Sequence, residues 1–383
     1  MSVSAIIHQS AFSPTFWRQN HVVRIPLQNW AVAPVIKAEA VRRIAPELDI
    51  WDAWPIQDDN GTPASFANGE TLWMALGAPR FEDPDERHAH ARIHLLQKTS
   101  LGWRHLGPAM PNGFSPGSRE WSGSALLDAD RSTLTLFFTA TGRLGEETPT
   151  FEQRLFSATA TLVADGQTAR LLDWRDLQEI VQRDPTYYMA GEAGGGKVGT
   201  IKAFRDPAYF RDPESGKRYL FFAGSRAHTD SEFNGVIGAI EADPNGAPAW
   251  SLLPPVIDAT DVNNELERPH VVIFEKLYYM FWSTQQHVFS PAHGSLPTGL
   301  YGMVASSLNG DWRPLNGTGL VFANPAAAPH QAYSWLVLPD LTVISFIDDW
   351  GDDRPAGASR RFGATFAPLL HLHLSGDIAS LTE

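Results

Sequence analysis

One pattern constrains this chain more than any other. A polar residue, an apolar strand, a polar turn and an aromatic-rich strand recur along it. Ser122-Gly-Ser-Ala-Leu-Leu-Asp-Ala-Asp-Arg-Ser-Thr-Leu-Thr-Leu-Phe137-Phe138 and Asp206-Pro-Ala-Tyr-Phe-Arg-Asp-Pro-Glu-Ser-Gly-Lys-Arg-Tyr-Leu-Phe221-Phe222 both place the aromatic pair 15 residues after the opening polar residue. A third copy opens at Glu267 and turns at Glu275-Lys276. A fourth opens at Tyr333 and turns at Pro339-Asp340, and a stretched first copy opens at Asp52 and turns through Asp58-Asp59-Asn60-Gly61. Five strand–turn–strand units at long spacing predict an all-β fold, a five-bladed β-propeller with a few short helices. A β-sandwich with unrelated hairpins is the alternative. In a propeller the innermost strands line one channel, so Asp52, Ser122, Asp206, Glu267 and Tyr333 are expected to converge.

Between the units, short apolar runs punctuated by Asp, Asn, Gly and Pro read as further strands: Thr71–Leu76, Arg92–Gln97, Leu155–Val163, Val236–Ile240. Helical spacing of Val35, Ile36, Ala40, Val41 and Ile44 predicts a helix over Ala33–Leu48, and Leu177, Ile180 and Val181 predict a second over Asp173–Gln182. No Pro/Ser-rich linker divides the chain. It reads as one catalytic domain over 1–383, its first ~45 residues partly helical and packed on the strands.

Charge and cysteine content narrow the chemistry. The net charge of −13 disfavours nucleic-acid binding, which needs clustered Lys and Arg, and suits a neutral substrate. With no cysteine there are no disulfides, thiolate metal sites or cysteine nucleophiles. No apolar run reaches the ~18 residues of a membrane helix, and the start carries neither the basic nor the apolar part of a secretory signal.

Three acidic segments share one flavour: Trp51-Asp52-Ala53-Trp54-Pro55, Arg205-Asp206-Pro207 and Glu265-Leu266-Glu267-Arg268-Pro269. Carboxylates beside apolar strands are costly unless paired or used. Glycosyl transfer uses such a set: one ionised carboxylate attacks or stabilises an oxocarbenium-like centre, and one protonated carboxyl releases the leaving oxygen. Turn-capping acids are the plain alternative. Glu265 and Glu267, two residues apart, share a face if extended, so their repulsion should raise one pKa and hold a proton on the pair.

Taken in order, Ile-Trp-Asp-x-Trp-Pro, Trp-Ser-Gly-Ser, Phe-Arg-Asp-Pro and Glu-Leu-Glu-Arg-Pro resemble glycoside hydrolase family 68, from about Ile50 to Ser334. That family contains levansucrases, inulosucrases and β-fructofuranosidases on a five-bladed propeller with a funnel-shaped pocket. The resemblance implies a levansucrase-like enzyme that needs no cofactor, with sucrose and fructan acceptors as partners. It implies Asp52 as nucleophile, Glu267 as acid and then base, and Asp206 as transition-state stabiliser. Trp51, Trp121, Ser122 and Arg205 shape the fructosyl subsite. Glu265, Arg268 and Tyr333 face the glucosyl side or orient the acid. His287 stands where Gram-negative members carry histidine. Levan-forming relatives act outside the cell, so an extracellular location is expected, with a cytoplasmic enzyme as the alternative that the missing signal fits equally. The oligomeric state stays open.

Gram-positive relatives hold structural calcium, but Thr200 and Asn264 stand where carboxylates are expected, so no metal is expected. Gly191–Val198 is reminiscent of a phosphate-binding loop, yet Val198 replaces the magnesium-holding hydroxyl and no strand–helix frame surrounds it. His88, His90 and His94, and the pair His371 and His373, read as ordinary strand histidines rather than zinc ligands.

Overall fold

Five strands, β1 (Leu48–Gln57), β2 (Arg119–Leu127), β3 (Phe204–Arg211), β4 (Glu267–Phe274) and β5 (Ala332–Val337), open the five sequence units in the computed structural model. The structure describes residues 12–66, 69–164, 168–189, 201–242, 250–351 and 360–382. Each opening strand leads an antiparallel meander. β1 continues to Thr71–Pro79, Arg92–Thr99 and Gly102–Pro108, and β2 to Thr133–Thr141, Gln153–Ala164 and Ala169–Glu179. β3 continues to Arg218–Ser225 and Gly235–Ala242, which carries Trp250–Leu252 and Ile257–Asp258 on its outer edge. β4 continues to Leu277–Thr284, Gly299–Ala305 and Leu320–Ala323, and β5 to Thr342–Ile347, Leu370–Ser375 and Ile378–Leu381. A short parallel pairing of Ile56 with Ala125 joins the first two meanders into one sheet. β1 packs on β2, β2 on β3, β3 on β4, β4 on β5, and β5 again on β1. The predicted hairpin turn at Glu275-Lys276 is present. Both residues have positive φ (48° and 66°), as a two-residue turn matched to strand twist requires.

All five opening strands carry a β-bulge near their start. The register slips between Trp51 and Trp54, Trp121 and Gly123, Arg205 and Ala208, Glu267 and His270, and Tyr333 and Leu336. Four of these bulges hold a non-glycine residue at positive φ: Asp52 (49°), Asp206 (64°), Arg268 (49°) and Ser334 (60°). Such backbone costs on the order of 1–3 kcal/mol per residue and persists where it re-aims side chains. At the β2 bulge, a Cβ on Gly123 would lie 1.9 Å from the Phe137 carbonyl oxygen, so only glycine fits. The bulges also adjust the sequence frame. By bulge position, Arg268 and Ser334 are the counterparts of Asp52 and Asp206, while Glu267 and Tyr333 sit one residue earlier, with Trp51 and Arg205.

Both predicted helices are absent. Over 33–48 only Ala38–Ala40 makes a 3-10 turn. The backbone there bonds to the fifth meander instead: Ile36 N–H donates to Gln331 Oε1 at 2.9 Å, and Gln331 Nε2 donates to the Pro34 carbonyl at 2.8 Å. The second segment belongs to strand Ala169–Glu179. Two successive bulges, with Asp173 and Asp176 at positive φ, replace the strand period locally. Leu171, Trp174 and Leu177 thereby reach the core at a three-residue spacing that mimics a helix.

The N-terminal segment straps the third and fourth meanders. Thr15–Phe16 pairs with Ile257–Asp258, and Ala31–Val32 pairs with Phe322 and Ala323. Between them Trp17 packs edge-on against Trp282 and Tyr301. Among its described residues the helical content is one α-turn, Gln19–Val22, and the 3-10 turns Ile25–Leu27 and Ala38–Ala40. Among the described residues no helix is long and apolar enough to cross a membrane.

Candidate active site

The five bulges meet at one cavity of about 250 Å³. Their paired residues, Trp51-Asp52, Trp121-Ser122, Arg205-Asp206, Glu267-Arg268 and Tyr333-Ser334, all line it. Glu265 and His287 line it too, so all eleven residues singled out from the sequence come together.

Asp52 sits on the β1 bulge and accepts a hydrogen bond from Ser122 Oγ at 2.9 Å. Burial pushes its carboxyl above the ordinary range. The Arg268 guanidinium and the Ser334 and Ser122 hydroxyls pull it back, and Glu267 adds upward pressure. Asp206 is more strongly affected: burial raises it to about 7 against the pull of Arg205, with Glu267 and Asp52 adding repulsion. Its backbone N–H donates to Thr139 Oγ1 at 2.9 Å, which fixes the strained bulge.

Arg205 gathers the negative charge. Its Nη2 lies 2.5 Å from Glu267 Oε1 and 3.4 Å from Glu265 Oε2, and its Nε lies 3.6 Å from Asp206 Oδ2. Its Nη1 is buried with no partner among the described residues. Tyr333 donates its hydroxyl to Glu267 Oε2. The expected sharing of a proton between the two glutamates has a definite polarity here. Burial and the Glu267 charge raise Glu265 to about 8. Glu267 is held low: burial pushes it up, but Arg205 and the Tyr333 hydroxyl outweigh that. Within the pair the environment favours the proton on Glu265.

Arg268 is buried and ties three strands. It donates from Nη1 to Ser334 Oγ at 2.9 Å and from Nη2 to the Ala53 carbonyl at 2.7 Å, so it braces the site from behind. Trp54 is buried beneath it, with the guanidinium 5.9 Å from its ring; it lines the cavity on the far side of the bulges and is a packing residue. His287 stands on the 3-10 turn Gln286–Val288, its side chain exposed toward the cavity and its imidazole pushed below the ordinary histidine value by partial desolvation.

Sequence reasoning missed one side of the cavity. Asp85, Arg87, His88, Asp348 and Arg360 line it as well. Arg360 bridges Asp85 and Asp348, and Arg87 stacks over Phe362 at 4.3 Å. These residues come from the 3-10 turn Pro84–Ala89 and from the fifth meander, outside any repeated motif. His88, which the sequence reads as an ordinary strand histidine, stands instead on that 3-10 turn. It is a cavity histidine lowered to about 3 by burial and by Arg87. His94 instead pairs with His105, Nδ1 to Nε2, at 2.8 Å. Thr200 and the Gly191–Val198 loop lie outside the described residues.

The whole chain matches one family. The profile of glycoside hydrolase family 68, described as levansucrase/invertase, covers residues 7–234 and 229–383. The levansucrase Lscbeta of Pseudomonas syringae pv. actinidiae is 30% identical over 97% of this chain and 91% of its own length. A levansucrase of Erwinia amylovora is 29% identical over 97% and 95%. Among solved structures, an inulosucrase from Halalkalicoccus jeotgali bound to kestose superposes with a TM-score of 0.87 at 36% identity, covering 97% of this chain and 95% of that one. A levansucrase from Gluconacetobacter diazotrophicus gives 0.82 at 22% identity, covering 100% and 92%. The fold and the match along its length define a carbohydrate-active enzyme. The chain belongs to glycoside hydrolase family 68, the levansucrase/invertase family.

Proposed function

We propose that the protein is a retaining, sucrose-cleaving fructosyltransferase, a levansucrase that passes the fructosyl unit to fructan or to water, built on a five-bladed propeller. One observation carries the reading: Asp52, Asp206 and Glu267 stand at the bulges of three different opening strands and face one cavity. The propeller is supported by five meanders whose opening strands contact one another in sequence and return to the first.

Sucrose binds with its fructosyl ring toward Trp51, Trp121 and Asp206. The free Nη1 of Arg205 is a donor for a ring hydroxyl. An Asp52 carboxylate oxygen attacks the fructosyl anomeric carbon as the bond to the glucosyl oxygen breaks. Glu267 gives that oxygen a proton drawn from the Glu265–Glu267 pair, and glucose leaves. Water or an acceptor hydroxyl, deprotonated by Glu267, then attacks the same carbon and frees Asp52. Asp206 hydrogen-bonds fructosyl hydroxyls as positive charge develops on the ring. The reaction uses no cofactor or metal. Its substrates are neutral sugars, and the expected setting is outside the cell.

Asp52→Ala and Glu267→Ala test the assignment through glucose release from sucrose. Each should cut turnover by orders of magnitude with substrate affinity far less affected. An Asp52→Ala enzyme that kept more than about a tenth of wild-type turnover would refute the nucleophile.

Inulosucrase is the second reading, favoured by the 36% identity over 97% of the chain to the Halalkalicoccus enzyme. Linkage analysis of polymer made from sucrose separates the two, and a product of free fructose alone would point to a β-fructofuranosidase.

A further inference from the structure

Lys202 lies two residues ahead of β3 and takes no part in the chemistry described above. Its ammonium is partly buried and surrounded by oxygens from separate segments: the Glu232 carbonyl, Asn234 Oδ1 at 2.8 Å and Asn264 Oδ1 at 2.5 Å. Its backbone is fixed as well, because Gln153 Nε2 donates to its carbonyl at 3.0 Å while Gln153 Oε1 accepts from Phe204 N–H at 3.0 Å. An ammonium can only donate. It therefore decides which end of the Asn264 amide faces it, and the Nδ2 end is left pointing at Glu265 Oε1, 3.4 Å away. Glu265 is held from its backbone by Asn263, whose Oδ1 accepts the Glu265 N–H at 2.8 Å. The line Lys202, Asn264, Glu265 thus ends beside Glu267, with both glutamates on the same Arg205 nitrogen.

We propose that Lys202 is a positioning residue for the acid: its ammonium orients the Asn264 amide toward Glu265, and through Glu265 it keeps Glu267 placed to protonate the leaving glucosyl oxygen. This rests on the reading of Glu267 as the general acid.

The test compares two donors. Sucrose needs its leaving oxygen protonated. Fructosyl fluoride, with a leaving group that departs as an anion, needs the acid far less but the same nucleophile and fructosyl pocket. Lys202→Met should lower sucrose kcat about tenfold or more, part of the roughly hundredfold or greater that a general acid supplies, while fluoride turnover falls far less. Lys202→Arg, which keeps the charge, should recover most of the sucrose activity. Asn264→Asp keeps an oxygen acceptor for Lys202 but cannot donate to Glu265; it should show the same split and serves if Lys202→Met does not fold. Equal losses on both donors, or no loss on sucrose, would overturn the proposal. Glu267→Gln is the control. If it does not separate the donors, the acid assignment fails; if it does and the Lys202 and Asn264 variants do not, only Lys202 is excluded.

Discussion

The Ser122 hydroxyl donates to Asp52 Oδ2 at 2.9 Å, joining the bulges of two neighbouring opening strands. The bond does more than hold the side chain still. Asp52 is pushed up by burial, and each donor that reaches it favours the ionised form, the one the proposed attack requires.

Ser122→Ala should therefore act on protonation as well as orientation. Losing one donor raises the Asp52 pKa further, so a smaller fraction is ionised at a given pH. The acidic limb of kcat/KM for sucrose should move to higher pH. A hydrogen bond to a charged group is worth about 1.5–3 kcal/mol, so kcat/KM at neutral pH should fall by about tenfold or more. A pH–rate profile of the variant against wild type measures both effects; an unmoved acidic limb would mean that Ser334 and Arg268 alone set the Asp52 charge.

Asp206 makes a prediction of opposite sense for stability. Its pKa is raised to about 7, so between the ordinary value of 3.8 and about 7 the folded protein binds more protons than the unfolded chain. Stability must then decline as pH rises through that window. Asp206→Asn removes the buried charge. The variant should lose most of its turnover, yet melt higher than wild type near pH 7, and the difference should shrink toward pH 4. Thermal unfolding of both proteins across that range checks the sign. Equal melting temperatures at pH 7 would show that Arg205 fully compensates the charge.

Most of this site was legible in the sequence because the repeat dictates it. A polar residue opens each unit, and the opening strands bring those residues together although they lie far apart along the chain. The bulges were not legible. Nothing in the alternation of Trp51-Asp52-Ala53-Trp54 signals that Asp52 turns to positive φ, and this is why Glu267 and Tyr333 seemed equivalent to Asp52 when Arg268 and Ser334 are. The same blindness produced a false helix at Asp173–Gln182, where a doubly bulged strand shows a helical period. The other false helix failed because Gln331, almost three hundred residues away, takes the backbone bonds of Pro34 and Ile36. Asp85 and Arg360 were missed for a related reason: each meets the site from a loop whose pattern carries no repeat.

Metal dependence gives a third prediction. The side-chain oxygen of Asn264, at the position where the family resemblance leads one to expect a calcium-holding carboxylate, is occupied by the Lys202 ammonium. A cation there would have to displace the ammonium from neutral carbonyl and amide oxygens. Treatment with a chelator should leave both melting temperature and sucrose cleavage unchanged. A fall in melting temperature reversed by added calcium would reveal a different ligand set.

The last prediction concerns where the fructosyl group goes. Hydrolysis and transfer share one covalent intermediate, so their ratio depends on how well an acceptor sugar outcompetes water at the glucosyl side. The proposed reading puts His287 on that side; it stands on the 3-10 turn following strand Leu277–Thr284 and lines the same cavity as Arg360 and Asp85. Burial lowers its pKa, with Arg360 and His330 pressing the same way against Glu267 and Asp85. The shift favours the neutral ring, whose one donor and one acceptor nitrogen can hold an acceptor hydroxyl in place. His287→Ala should still cleave sucrose, because no bond to Asp52 or Glu267 is removed. Its products should move from polymer toward free fructose and short oligosaccharides. One or two lost hydrogen bonds at about 0.5–1.5 kcal/mol each change the partition several-fold. Chromatographic separation of glucose, fructose, oligosaccharide and polymer at high sucrose measures it, and an unaltered distribution would remove His287 from the acceptor site.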